Sequence, residues 1–452
     1  MIARIVVAGT SSGSGKTTVA CGLIGALRRS GHVVQGFKVG PDYIDPSYHA
    51  LVSGRPGRNL DAFLSGPELI APLVRHGSAG ADIAVVEGVM GMFDGASGRG
   101  ELASTAHVAK LLQAPVVLVV DAGAMARSAA AVVHGYRTFD PEVHVAGVIF
   151  NRVGSDHHEE LLREATAHVG VPVLGALRRD DRIVAPERHL GLVPAGERAE
   201  QTRVALDALA EAAARYIDLS AVERLARAAP PAGGPAWDAA PEHEPAPARL
   251  AIARGPAFSF HYEENLELLA AAGAELMPFD PTVDELLPES ADALVLAGGF
   301  PEVFGAELEA NARLRAEVAT FAQGGRPILA ECGGLLYLCA DLDGRAMCGV
   351  LPARGRMAGR LTLGYREATA ATATPWIAAG ASLRGHEFHY SAVEPIGAGA
   401  PPAWTLTARG TTRAEGIALG AVQASYLHVH WAAHRDLAHR FVQAAVRGPV
   451  AA

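Results

Sequence analysis

Two short stretches carry residue types that can do chemistry. The first, GTSSGSGKTT, spaces Gly9, Gly13 and Gly15 ahead of Lys16, Thr17 and Thr18. Glycines let backbone N–H groups turn onto phosphate oxygens, and a helix N-terminus just beyond adds partial positive charge. Gly9, Thr10, Gly13, Gly15, Lys16, Thr17 and Thr18 therefore form a candidate ATP cradle. Lys16 is placed to bridge the β- and γ-phosphates and Thr17 to hold Mg2+. The spacing is GxxxxxGKT, one residue longer than the usual phosphate loop. The second stretch, AECGGLLYL, sets Cys332 between an apolar run and Gly333–Gly334. A sharp strand-to-helix turn exposes a nucleophile, and a helix N-terminus there is expected to lower the thiol's pKa.

Each stretch needs partners. Glu87 closes an apolar run and precedes Gly88, where a carboxylate faces the ligand crevice of an open sheet and can hold magnesium. In KVGPDYIDP, Lys38 can neutralise phosphate, and Asp42 and Asp45 can reach metal or substrate; Asp45 is assigned to the metal and Asp42 to substrate. Asn151, at the end of another apolar run, offers an amide to the adenine edge. For Cys332, SYLHVHW supplies two candidate bases, His428 and His430, on one face of a strand or at its end. The Gly298–Gly299 turn and Gly333 offer N–H donors for an oxyanion hole, with Gly299 and Gly333 as the donors assigned.

These residues must be held by elements. Apolar runs at 5–8, 33–39, 82–86, 115–120 and 145–150 read as strands, and 16–29, 102–112 and 157–168 as helices. Near-continuous apolar strands between helices predict a parallel sheet covered on both faces. The second half repeats the alternation, with strands at 250–253, 275–279, 293–296 and 328–330 and helices at 263–272 and 307–323; beyond Leu336 the pattern is irregular. Between the halves, 228–248 holds six prolines and reads as an extended, exposed linker. The expected division is 1–228, a phosphate-loop domain; 229–248, the linker; and 249–452, a second α/β domain.

Composition bounds the function. Half of the 452 residues are hydrophobic and 19% charged, enough apolar surface for real cores, which excludes a mainly disordered chain. A net charge of -9 lacks the global footprint of a nucleic-acid binder. Cys21, Cys332, Cys339 and Cys348 show no CxxC pair and no disulfide framework, which suits a reduced, cytoplasmic setting. No apolar run approaches a membrane span.

Assembled, these motifs resemble the cobyrinic acid or hydrogenobyrinic acid a,c-diamide synthase family. The first half is similar to a dethiobiotin-synthetase-like phosphate-loop domain, which shares the longer GxxxxxGKT spacing; KVGPDYIDP, VVEGVMGMFDG and GVIFNR carry the match. The second half resembles a class I glutamine amidotransferase domain, through LAGGFPE, AECGGLLYL, RGHEFHYS and SYLHVHW. The resemblance implies that Cys332 releases ammonia from glutamine through a glutamyl thioester, with His428 as the base. It implies that ATP, with Mg2+, activates the a and c carboxylates of a corrinoid as acyl phosphates. Typical triads continue with Glu two residues after the histidine; here that residue is His430, which fits a two-residue Cys–His form and leaves the group orienting His428 open. Arg384, His386 and His389 either hold the acidic rim of the substrate or stabilise the domain. No nucleic-acid or membrane partner is expected, and a homodimer is left open, as is cobalt in the corrinoid. A cobyric acid synthase-like amidase, or a non-catalytic phosphate-loop partition ATPase, is the alternative; the latter leaves the Cys332 turn unexplained.

Overall fold

The apolar runs of the first half become the middle of a seven-stranded parallel sheet in this computed structural model. It describes residues 2–180, 187–188, 191–192, 199–231, 233–240 and 244–449. The chain divides into two compact units, Met1–Asp238 and Ala239–Ala452. In the first, β1 (Ala3–Gly9), β2 (Val34–Val39), β3 (Arg58–Leu60), β4 (Ile83–Glu87), β5 (Val116–Asp121), β6 (Val145–Val153) and β7 (Val173–Arg178) lie in the order β3-β2-β4-β1-β5-β6-β7. The central strands are buried along their length, as two helix-covered faces require.

The helices α1 (Lys16–Arg29), α2 (Ile44–Ser53), α3 (Pro67–Gly77), α4 (Thr105–Leu112), α5 (Ser128–Phe139), α6 (Asp156–Thr166), α7 (Ala199–Tyr216) and α8 (Leu219–Arg227) connect or follow these strands. Small residues let α1 meet α7 closely: a Cβ on Gly25 would stand 2.7 Å from the Ala210 Cβ. A short antiparallel pair, β8 (Glu187–Arg188) and β9 (Gly191–Leu192), precedes α7. The order places β1 between β4 and β5, so the loop leaving β1 opens beside the end of β4.

The Pro-rich stretch is not exposed throughout. Trp237 is buried, its N–H donates to Pro72 O at 3.0 Å, and its ring meets His76 edge-on. Arg75 donates to the carbonyls of Gly233 and Pro235, and buried Arg4 to that of Pro230. Proline supplies no N–H but its carbonyls still accept, so the part of this stretch up to Trp237 is pinned to the first unit. Residues 232 and 241–243 of the expected linker lie outside the described residues.

In the second unit, β10 (Ala248–Ala253), β11 (Ala274–Phe279), β12 (Ala293–Leu296) and β13 (Ile328–Glu331) make four parallel strands of one sheet with helices α9 (Glu263–Ala271), α10 (Gly305–Ala310), α11 (Ala312–Gln323) and α12 (Gly333–Leu338). The single helix expected over 307–323 is two. Asn311 interrupts it, and its Oδ1 accepts from Leu314 N to cap α11.

The tail beyond Leu336 is not irregular. Strands β14 (Asp341–Leu342), β15 (Arg345–Ala346), β16 (Ala353–Ala370), β17 (Ser382–Pro395), β18 (Trp404–Ala408) and β19 (Thr411–Glu415) form a second, largely antiparallel sheet. Its strands expose many residues, so no long apolar run announces them. The chain then returns through β20 (Ile417–Leu419) and β21 (Val422–Ser425) to the first sheet, where β21 lies parallel to β13, and ends in α13 (Asp436–Arg447).

Candidate active sites

In the first unit, the loop between β1 and α1 needs backbone only glycine adopts easily: Gly13 and Gly15 have φ of 76° and 96°. Gly15 is also packed tight, since a Cβ there would stand 1.9 Å from Asn151 Nδ2. Asn151 Nδ2 donates to Ser14 O at 3.1 Å. The residue expected at the adenine edge thus braces the loop. Gly9 ends β1, Thr10 O accepts from Tyr136 Oη at 2.6 Å, and Thr18 lies half-buried in the first turn of α1.

Lys16 is folded back, donating to Ser11 O at 2.9 Å and Met90 O at 2.6 Å. Burial, aided by the nearby Lys38 charge, lowers its pKa to about 8. Glu87 is fully buried and accepts from three side chains: Thr17 Oγ1 at 2.6 Å, Lys38 Nζ at 2.8 Å and His49 Nε2 at 2.7 Å. Burial alone would raise this carboxyl, but Lys38 and His49 hold it well below the usual carboxylate range. Lys38 also lies 2.5 Å from Asp45 Oδ2. Burial would lower the Lys38 ammonium; Asp45 and Glu87 outweigh it and raise it. Asp45 is pushed up by burial and by the Asp42 and Glu87 charges. Asp42, assigned to substrate, caps α2 instead with Oδ1, which accepts from Ile44 N at 2.7 Å and Asp45 N at 3.1 Å.

The structure therefore joins Lys16, Thr17, Lys38, Asp45 and Glu87 at the C-terminal ends of β1, β2 and β4, inside the sheet. The Thr17 hydroxyl and Glu87 carboxylate are all-oxygen donors beside a phosphate loop, which suits the hard Mg2+ ion. His49 escaped the sequence reading because a lone histidine in a helix carries no motif. Asp94 was passed over too: its Oδ2 accepts from Gly91 N, bracing the turn beside the loop.

In the second unit, Cys332 follows β13 with φ 48° and ψ -99°, a strained conformation for a non-glycine residue and the mark of a nucleophile turn. Its N–H donates to Ser425 O at 2.7 Å, tying it to β21. The two glycines after it are required by contact: a Cβ on Gly334 would stand 2.3 Å from Leu296 O, and one on Gly333 3.0 Å from Gly299 N. The Gly299 and Gly333 backbones, assigned to the oxyanion hole, thus lie against each other.

One expectation fails. The thiol is not lowered by the helix. Burial pushes it well up, the Glu302 and Glu331 carboxylates add to this, and the hydrogen bond from the Gly333 N–H does not offset them. A six-residue helix offers little dipole against desolvation. Burial thus favours the protonated thiol at Cys332.

His428 and His430 lie beyond β21, not within it, and they part company. His428 exchanges backbone hydrogen bonds with His386, at 2.9 and 3.0 Å, and their rings stack 4.9 Å apart. Its ring packs on the Gly298 turn, where an added Cβ would lie 2.5 Å from Cε1. His430 turns to buried Glu264, Nε2 to Oε2 3.4 Å, and packs its ring against Tyr262. His428 is thus the histidine at the glycine turn beside Cys332.

Of the residues considered for the acidic rim, Arg384 is exposed. His386 is buried, with Tyr262 Oη 2.9 Å from its Nε2. His389 is buried, stacked on Tyr426 at 3.6 Å with Nδ1 2.8 Å from Ser391 O. Both histidines serve the interior of this unit. Between them, Glu387 is fully buried and paired with Arg366 and Arg413. Burial would raise Glu387, but His389, Arg413 and Arg366 lower its pKa to about 2.

Known proteins can be set beside this geometry. Residues 5–193 match the model of the CobQ/CobB/MinD/ParA nucleotide binding domain, and residues 249–436 that of the CobB/CobQ-like glutamine amidotransferase domain. The chain is 54% identical to the hydrogenobyrinate a,c-diamide synthase of Streptomyces coelicolor, over 98% of this chain and 97% of that one. It is 50% identical to the protein of that name from Mycobacterium tuberculosis H37Rv, over 98% and 97%. It is 46% identical to the cobyrinate a,c-diamide synthase of Syntrophotalea carbinolica, over 97% and 98%. With relatives this similar along nearly the whole chain, and both of its centres matched in order, the protein belongs to the family of cobyrinate and hydrogenobyrinate a,c-diamide synthases.

Proposed function

We propose that this protein uses ATP and glutamine to amidate the a and c carboxylates of a corrinoid in cobalamin biosynthesis. Residues 1–228 act as the ligase, 229–248 as the link and 249–452 as the glutaminase. The observation that carries this reading is the presence, in one chain, of a phosphate loop wired to a buried carboxylate and a strained cysteine set against a histidine-bearing glycine turn.

In the glutaminase unit, His428 accepts the Cys332 proton as sulfur attacks the glutamine carboxamide carbon. The Gly299 and Gly333 N–H groups receive the oxyanion. His428 returns the proton to the leaving nitrogen, ammonia departs, and water hydrolyses the thioester to glutamate. In the ligase unit, a corrinoid carboxylate oxygen attacks the γ-phosphorus and ADP leaves. Ammonia then attacks the acyl phosphate, phosphate leaves and an amide forms; the cycle repeats at the second carboxylate. Lys16 carries positive charge to the phosphates, and Lys38 stands between Glu87 and Asp45. Thr17 and Glu87 would hold Mg2+, with Asp45 nearby, and the ion would neutralise charge on the transferring phosphoryl group.

The cobalt-free corrinoid is the favoured substrate, because the relatives at 49–54% identity are named for hydrogenobyrinate and those at 43–46% for cobyrinate. A cytoplasmic setting, where both co-substrates are abundant, suits four cysteines that are all free. Steady-state kinetics with hydrogenobyrinic and cobyrinic acids tests the substrate. A higher kcat/KM for the cobalt-free acid is expected; a preference for the cobalt form reverses that part of the proposal.

A further inference from the structure

In the glutaminase half of this reading, the position two residues after the base, where typical triads carry Glu, is His430. His430 faces Glu264 and Tyr262. A carboxylate does reach His428: Glu331 Oε2 lies 3.4 Å from His428 Nδ1. The histidine side chain is 1% exposed and that of Glu331 15%, so water does little to screen the pair. We propose that Glu331, the residue before the nucleophile, is the positioning residue for His428.

The fold explains how one turn supplies both groups. In the register of β13 on β21, Glu331 stands opposite Ser425, three residues before His428. The strained turn begins at Cys332, while Glu331 is still the last residue of β13. A face of the imidazole is covered by the His386 ring, which is itself 2.9 Å from Tyr262 Oη through its Nε2. A separation of 3.4 Å is long for a finished hydrogen bond, but catalytic contacts of a free enzyme are commonly long and tighten around substrate.

The location also makes chemical sense of a cost. A carboxylate next to Cys332 opposes thiolate formation. Paired with His428, the same charge favours the imidazolium formed when the thiol gives up its proton, and fixes the tautomer that presents the other nitrogen. The proton passes from Cys332 to His428 and on to the leaving nitrogen; Glu331 orients the ring and does not take it.

The proposal rests on the glutaminase reading, so the test measures glutamate release from glutamine without corrinoid. Glu331→Gln should lower kcat roughly 10- to 100-fold, less than the ~10²–10⁴-fold carried by a general base itself. KM for glutamine should move less than about twofold, since a group acting only through His428 adds no ground-state binding. Glu331→Asp should recover part of the loss. Alkylation of Cys332 by a chloroketone analogue of glutamine should slow in parallel with kcat. The deciding arm is a cycle: in a His428→Ala background, Glu331→Gln should cost nothing further. A full multiplicative loss in that background, or unchanged kcat in the single variant, overturns the proposal. Thermal melting of each variant checks the fold, and where Glu331→Gln melts early the cycle is run with Glu331→Asp. Failure of the amidation reading would appear separately, as no corrinoid product from the parent enzyme with ammonium, and leaves this readout standing.

Discussion

Lys38 and Glu87 stand opposite each other on neighbouring parallel strands, and the lysine ammonium lies 2.8 Å from Glu87 Oε1. The same oxygen accepts the Thr17 hydroxyl, so the phosphate loop, the second strand and the fourth meet on one buried carboxylate. Removing that charge should disable the ligase without touching the glutaminase. Glu87→Gln is expected to lower ammonium-driven amidation by roughly 10²–10³-fold, the scale of losing one preorganised electrostatic group. Glutamate release by the same preparation should stay near the parent value, and comparing the two rates checks the prediction.

The lowered Lys16 pKa predicts a pH effect on nucleotide binding. With a pKa of about 8, Lys16 is charged in the free enzyme below that value and neutral above it. ATP prefers the charged form, so affinity should be flat below pH 8 and fall by about tenfold per unit well above it. Calorimetry should record proton uptake on binding in that upper range. Lys16→Arg, which stays charged, should remove the alkaline fall.

Gly298 leaves no room for a side chain beside His428. Gly298→Ala would drive a methyl to 2.5 Å from Cε1, and the imidazole must shift. A displacement of about 1 Å at a catalytic group costs on the order of 10²-fold. Glutaminase turnover should fall by that amount while ammonium-driven amidation persists.

How much of this was legible is a matter of what each signal depends on. The phosphate loop, Glu87 and the Cys332 turn were readable because each needs a fixed residue type at a fixed spacing after an apolar strand. Helix α1 and strand β12 fall where the sequence put them. Strand β3 did not announce itself because Arg58 and Asn59 are polar yet buried. The long pair β16 and β17 was hidden by exposed polar residues, although it delivers His386 to His428. Glu331 lay in plain view next to the nucleophile, but its role depends on the register of β13 with β21, which no spacing reveals. The thiol expectation failed because a turn motif describes geometry and says nothing of burial.

Glu387 ties acid stability to the second unit. Its carboxyl titrates at about 2 in the folded chain, against about 4.5 when unfolded. A depressed carboxyl contributes stability that is complete above the unfolded value and lost as pH falls through the folded one. About 3 kcal/mol should therefore disappear between roughly pH 5 and 2. Trp376, Trp404 and Trp431 are buried in this unit and Trp237 in the other, so in a Trp237→Phe background tryptophan fluorescence during urea unfolding follows the second unit. Glu387→Gln should flatten the acid dependence and destabilise at neutral pH, chiefly by leaving the largely buried Arg366 guanidinium uncompensated.

The central claim is that ammonia made at Cys332 feeds an ATP-driven amidation elsewhere in the same chain. Its most direct test is Cys332→Ala supplied with hydrogenobyrinic acid, ATP and Mg2+, with product mass followed for two successive replacements of OH by NH2. With ammonium the variant should yield the diamide at close to the parent rate, and with glutamine it should yield none. Diamide formed from glutamine at the parent rate, or no amidation from either nitrogen source by variant and parent alike, would contradict the account.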